Sequence, residues 1–329
     1  MQKGEETMAL DIVWILVGFV LLIKGADFLV NGSVKIAKRF HVSEIIIGLT
    51  IVSIGTSMPE MIVSVTSGLG GHNDMAIGNV IGSNLCNLLL ILGITALVRP
   101  IVFQKETKCI EIPIALVATI LLLILCNNAG NVIGRYEGAI LLICFVAFIA
   151  YTIYMGIREA RKENTQAQMD SKEMIEPEKY GMLKAILLIV VGIVGLKIGG
   201  DLVVNNATDI ARLLHISEKI ISLTIIAIGT SLPELVTSIV AAIRKENDIA
   251  IGNIIGSNIF NILFILGVSS VVTPINYSDA YNMDFAILIA STILLAAFPF
   301  IGKKDTMTRT NGAIFLIAYI AYMVSMFVR

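Results

Sequence analysis

Adding 174 to residue numbers in the first half of this 329-residue chain carries much of that half onto the second. Asp27 goes to Asp201, Asn31 to Asn205, His41 to His215 and Ser43-Glu44 to Ser217-Glu218, with no gap. Two stretches repeat most faithfully. Gly55-Thr56-Ser57-Met58-Pro59-Glu60 returns as Gly229-Thr230-Ser231-Leu232-Pro233-Glu234, and Gly82-Ser83-Asn84 with Asn87 returns as Gly256-Ser257-Asn258 with Asn261. A register this long is no accident of composition, so the fold must be two copies of one unit.

Each copy carries five apolar runs. They lie at about 10–31, 43–70, 75–98, 110–128 and 134–157, then at about 182–205, 217–243, 249–272, 283–301 and 311–328. Runs of this length cross roughly 30 Å of hydrocarbon as helices. A balance of 56% hydrophobic to 15% charged residues suits lipid rather than water. The expected fold is all-α, a polytopic membrane protein of about ten transmembrane helices. Five is odd, so the second copy must enter the membrane from the opposite side, and the two five-helix repeats are expected to be inverted. The runs at 43–70 and 217–243 exceed a span's needs and are interrupted by Gly and Pro, which reads as half-helices or a kink. Residues 158–181 are dense in charge and read as a solvated linker between a first repeat at 1–157 and a second at 182–329.

Lys and Arg mark cytoplasmic loops. With the N-terminus outside, seventeen of the 24 fall on the cytoplasmic side, among them Lys35, Lys38, Arg39, Arg244 and Lys245, and five fall outside. The other two, Lys24 and Lys197, lie within the first and sixth spans. The expectation is a multi-pass protein of the inner (plasma) membrane with both termini outside and the linker cytoplasmic. The segment MQKGEETMAL is too acidic for a signal-peptide start, and no small-residue cleavage site follows the first apolar run, so that run is expected to be retained. A formal net charge of −1 with scattered basic clusters argues against a nucleic-acid partner. The four cysteines lack CxxC spacing and read as packing residues.

A carboxylate inside a span needs a partner, a cavity or an ion, which singles out Glu60 and Glu234. Each follows a Pro by one residue. The Pro removes a backbone donor and the nearby Gly lets the chain bend, freeing carbonyl oxygens around 53–56 and 227–230. Carbonyls, Thr and Ser hydroxyls and carboxylates are hard oxygen donors, suited to Na+ and Ca2+. On a helix Ser83 and Asn87 stand one turn apart, as do Ser257 and Asn261, and Gly78, Gly82, Gly252 and Gly256 permit close helix approach. Ser, Thr and Asn also serve membrane helices as plain interhelical hydrogen bonders, and the glutamates could pair with Lys24 and Lys197. Duplication of the whole set at one offset favours the site reading. Asp27, Asp201, Asn31 and Asn205 read as structural or pathway-lining, and His41 and His215 as boundary or capping residues beside Ser and Glu.

GTSMPE with GSNLCN and GTSLPE with GSNIFN resemble the two alpha repeats of the sodium/calcium exchanger family, within the calcium/cation antiporter superfamily. The alpha motifs span 43–98 and 217–272, and the similarity covers nearly the whole chain. The resemblance implies a secondary antiporter exchanging Na+ for Ca2+ by alternating access, and not an enzyme. It makes Glu60 and Glu234 the central calcium ligands, with Thr56, Ser57, Thr230 and Ser231 serving sodium or calcium. Ser83 and Ser257 would complete outer sodium sites, Asn87 and Asn261 would lie in the middle, and the carbonyls of Ser53 and Ala227 would ligate. Beyond the transported ions and the bilayer it calls for no cofactor, and it is compatible with a monomer. The neutral Asn261, where potassium-dependent members carry an acid, points away from potassium dependence. Proton-coupled relatives carry GNxxE-type patterns in place of GTSxPE. A calcium/proton exchanger remains the nearest alternative and a cation channel a more distant one.

Overall fold

The computed structural model describes residues 2–70, 73–127, 131–169, 181–216, 218–221, 224–225, 227–301 and 303–328. In the first half these form α1 (Gln2–Phe40), α2 (Glu44–Ile47), α3 (Ser53–Thr56), α4 (Met58–Leu69), α5 (Asn73–Leu85), α6 (Leu92–Val98), α7 (Ile112–Cys126) and α8 (Arg135–Met169). The second half continues with α9 (Gly181–Leu213), α10 (Glu218–Ile221), α11 (Ala227–Gly229), α12 (Leu232–Ile243), α13 (Asn247–Phe260), α14 (Leu266–Val272), α15 (Asn282–Ala297) and α16 (Arg309–Val328). Wider π-helical turns at Gly48–Val52, Cys86–Ile91 and Asn261–Ile265 join α2 to α3, α5 to α6 and α13 to α14. Two short antiparallel pairings tie the loops, Ile101 opposite Met307 and Val132 opposite Asn276.

Seven helices among the described residues are long and apolar enough to cross a bilayer, and the bent pair Glu44–Thr56 with Met58–Leu69 makes an eighth. The run at 311–328 forms the 20-residue α16. The run at 217–243 is divided among α10, α11 and α12, with residues 217, 222, 223 and 226 outside the described set. Hydropathy underestimated several lengths. α1 has 39 residues and α9 has 33, well beyond the runs at 10–31 and 182–205. α8 continues to Met169, past the expected linker boundary at 157. The extension is rich in Arg, Lys, Glu, Gln and Ala, strong helix formers that need no lipid to stay helical.

α1 and α9, which correspond at the 174-residue offset, pack antiparallel along their length. Gly18 meets Gly199, Gly25 meets Gly192 and Gly32 meets Ala185. A Cβ at Gly25 would stand 2.8 Å from the Gly192 carbonyl oxygen, and one at Gly192 would stand 2.8 Å from the Gly25 carbonyl oxygen. Small residues every seventh position thus let two backbones touch where ordinary side chains would hold them apart. The centre of the molecule lies elsewhere. Of an 18-residue apolar stretch within Asn247–Val272, 94% is buried inside the protein, and of one within Met75–Val98 78% is buried, against 22% for one within Arg135–Arg158. The other helices therefore wrap the α5–α6 and α13–α14 spans and turn apolar side chains such as Ile143 and Val146 outward, as a lipid-facing surface requires.

His41 and His215 are boundary residues, but they end the preceding helix rather than cap the next. Both adopt left-handed backbone, with φ of 53° and 58°. The amide after each reaches back five residues, from Val42 to the Ala37 carbonyl at 3.1 Å and from Ile216 to the Ala211 carbonyl at 3.0 Å. This is the six-residue ring that closes a helix C-terminus. All four cysteines are free, Cys86 and Cys126 buried and Cys109 exposed.

Candidate cation site

The site begins with two helix breaks. Ser57 and Ser231 precede α4 and α12 with φ, ψ of −85°, 10° and −88°, 7°. In the first half the chain bends there by 47°. Pro59 and Pro233 carry no amide hydrogen, and their rings displace the carbonyl four residues back, so helix bonding cannot continue straight through. New helices start at the break, and Glu60 and Glu234 occupy their first turns, where the aligned peptide dipoles favour negative charge. Both residues are 1% exposed.

Each carboxylate is held by a serine from the other half. Ser57 Oγ donates to Glu234 Oε1 at 2.7 Å, and Ser231 Oγ donates to Glu60 Oε1 at 3.3 Å. Thr56 stands beside Glu234 and Thr230 beside Glu60. Among the described residues neither glutamate pairs with a lysine, and Lys197 pairs with Asp201 four residues on in its own helix. Asp27 pairs with Arg244, whose guanidinium also donates to Asn31 Oδ1, so three of the polar residues on α1 and α9 are engaged away from the glutamates.

Asparagines from α5 and α13 brace the breaks. Asn79 Nδ2 donates to the Glu60 carbonyl at 3.2 Å and to Ser64 Oγ at 2.9 Å; Asn253 Nδ2 donates to the Glu234 carbonyl at 3.4 Å and to Ser238 Oγ at 3.0 Å. Asn253 Oδ1 also accepts from Thr56 Oγ1 at 3.0 Å. The sequence reading passed over Asn79, Asn253, Ser64 and Ser238 as site residues. The 174-residue duplication was the signal that could have found them, since each recurs at that offset.

Across the centre, Asn87 Nδ2 donates to Asn258 Oδ1 and Asn261 Nδ2 to Asn84 Oδ1, both at 3.0 Å. Ser83 and Ser257 are buried at 3% and 0% exposure on the same two helices. The Ser53 carbonyl accepts from the Ser57 amide at 3.0 Å and from Thr56 Oγ1 at 3.3 Å, and Ala227 opens α11.

What remains unpaired is informative. Glu60 Oε2, Glu234 Oε2, Asn87 Oδ1, Asn261 Oδ1 and Ser257 Oγ are buried and have no hydrogen-bond partner among the described residues. An orphaned buried oxygen costs about 1–3 kcal/mol, a cost a cation removes by accepting its lone pairs. Among the described residues no group of three or more His, Cys, Asp or Glu is placed to hold a metal ion. Two carboxylates with neutral amide and hydroxyl oxygens form a hard-oxygen set for Na+ or Ca2+ rather than a nitrogen or sulfur set for a transition metal.

The family model described as sodium/calcium exchanger protein matches the chain twice, over residues 10–154 and 184–328. A putative antiporter, CaxA, of Alkalimonas amylolytica is 39% identical over 323 residues, covering 97% of this chain and 99% of that protein. The sodium/calcium exchanger MaX1 of Methanosarcina acetivorans is 30% identical over 341 residues, covering 95% and 97%. The solved structure of the sodium-calcium exchanger NCX_Mj superposes with a TM-score of 0.82 at 32% identity, covering 97% of this chain and 99% of that one. With an all-helical membrane fold, a family model matched once in each half and relatives similar from end to end, this chain belongs to the sodium/calcium exchanger family of cation antiporters.

Proposed function

We propose that the chain exchanges Na+ for Ca2+ by alternating access to a single site. Its ligands are Glu60 and Glu234, with Thr56, Ser57, Thr230, Ser231, Ser83, Ser257, Asn87 and Asn261 and the carbonyls of Ser53 and Ala227. The observation that carries this reading is the pair of buried carboxylates, each bonded to the other half's serine through one oxygen while its second oxygen stays unpaired. Two ionised glutamates hold a charge of about −2, which one Ca2+ neutralises and three Na+ exceed by one. Exchange in that ratio moves one net charge per cycle, worth about 2.3 kcal/mol per 100 mV.

The antiparallel packing of α1 on α9 supports inverted repeats of 1–157 and 182–329 around a cytoplasmic linker at 158–181, in a chain of ten spans with both termini outside a plasma membrane. Corresponding helices that run in opposite directions supply two near-equivalent packings, one open to each side. The α1–α9 pair, joined backbone to backbone through its glycines, slides as a unit over the core that carries the site.

In proteoliposomes, an outward Na+ gradient should drive uptake of radiolabelled Ca2+, and Glu60→Gln or Glu234→Gln should abolish it. Uptake that ignores Na+ and follows a pH gradient would replace this reading with calcium/proton exchange. Conductance without accumulation against a gradient would replace it with a channel.

A further inference from the structure

Each amide at the site is preceded by another asparagine three residues earlier, Asn84 before Asn87 and Asn258 before Asn261. Asn84 is fully buried and Asn258 is 4% exposed. Asn84 Nδ2 donates to the Asn258 carbonyl oxygen and Asn258 Nδ2 to the Asn84 carbonyl oxygen, both at 3.3 Å. A main-chain carbonyl carries no proton and can only accept. Both side chains are therefore held with nitrogen toward the facing backbone and oxygen away from it. That oxygen is what the site amide meets: Asn258 Oδ1 accepts from Asn87 Nδ2, and Asn84 Oδ1 from Asn261 Nδ2. With both nitrogens so occupied, the groups left over are Asn87 Oδ1 and Asn261 Oδ1, buried and without a partner.

We propose that Asn84 and Asn258 are positioning residues that fix the flip of the Asn87 and Asn261 amides, so that two carbonyl oxygens rather than two NH2 groups face the cation. The two ends of an amide are nearly the same size and opposite in polarity. A cation is stabilised by one end and repelled by the other, so an amide ligand needs its orientation imposed. A carboxylate, with oxygen at both ends, does not. The order originates in two backbone carbonyls and passes crosswise between the repeats, so each half orients the other half's ligand.

The inference rests on the cation-site reading but not on the identity of the coupling ion. Asn258→Leu and Asn84→Leu remove the orienting amide at similar volume. In reconstituted Ca2+ uptake, KM for Ca2+ should rise about tenfold or more, as expected for losing a bond to a charged group. Turnover at saturating Ca2+ should change far less. The deciding arm repeats Asn258→Leu in an Asn87→Asp background and Asn84→Leu in an Asn261→Asp background. There the ligand has no wrong way round, and the leucine penalty should shrink to under about twofold. An equal penalty in both backgrounds, or an unchanged KM in the single variants, overturns the proposal and leaves these asparagines as packing alone. Asn258→Ser and Asn84→Ser, too short to reach the site amide, replace any leucine variant that does not accumulate. The same cycle read as the Ca2+-induced thermal shift of detergent-solubilised protein needs no transport. A wild type indifferent to Na+ gradients would thus sink the exchange reading while the amide cycle still returned its own answer.

Discussion

At the end of α12, Arg244 reaches across to α1, where it pairs with Asp27 and donates to Asn31. At the equivalent end of α4 stands Gly70. Asp201, in Asp27's place on α9, is paired with Lys197 of its own helix. α1 is thus tied to α12 by charge, while nothing comparable ties α9 to α4 among the described residues. Nearer the helix break, a cavity of about 200 Å³ is lined by Thr56, Met58, Pro59 and Ile62 on one side and by Ile193 and Lys197 on the other. The site differs in the same sense. Ser57 holds Glu234 at 2.7 Å and Thr56 bonds Asn253, whereas Ser231 sits 3.3 Å from Glu60 and no matching bond joins Thr230 to Asn79. Two copies of one unit have thus been assembled with unequal ties to α1 and α9. On the proposed topology Arg244 lies at the cytoplasmic side.

This contrast can be broken at its centre first. Glu60→Gln and Glu234→Gln each remove one charge from a buried pair of equals, and both should lower Ca2+ affinity by on the order of a hundredfold or more. Equilibrium binding of labelled Ca2+ measures this, and a large loss in only one variant would show that the halves bind unequally. Protons come next. They compete with cations for the same carboxylate oxygens, so KM for Ca2+ should climb as pH falls toward 5 while turnover at saturating Ca2+ changes less. A flat KM across that range would argue against ionised ligands.

The tie itself gives a smaller effect. On the proposed alternating access, Arg244→Ala frees α1 from α12 and should shift the population away from the present packing, in which the cavity beside α4 and α9 is formed. A cysteine at Met58 or Ile62, in a Cys109→Ser background, should then react roughly threefold more slowly with a membrane-impermeant thiol reagent, as suits a partly exposed ion pair. Gly70→Arg, which supplies the missing charge opposite Asp201, should act in the same direction, and faster labelling in either variant would overturn the latch. Smallest of all, His41→Gly and His215→Gly should raise stability by about 1 kcal/mol each, because both residues hold left-handed backbone that only glycine adopts freely. Thermal unfolding of the two variants should show equal gains, since the two helix ends have the same geometry.

Much of this was legible before any coordinates. The register of 174 and the Pro-Glu pairs foretold two breaks and two carboxylates, because a buried charge and a missing amide hydrogen constrain any fold that holds them. The helix lengths were less legible, since hydropathy stops where lipid stops while hydrogen bonding in α1, α8 and α9 does not. His41 and His215 looked like the start of something and proved to be the end of something, because a left-handed φ leaves no mark on residue type when the residue is not glycine.

The sequence by itself determined that there are two copies of one unit, that the chain lives in lipid, and which oxygen-bearing side chains it sets aside in each copy. Those follow from chain-local properties: periodicity, transfer free energy and the covalent structure of proline. Only the tertiary structure decided which copy's serine holds which glutamate, which amide meets which, and which helix Arg244 ties to α12. Each of these is a contact between residues far apart in the chain, set by how helices cross, and a duplicated sequence assigns both copies the same parts without saying which of them touch.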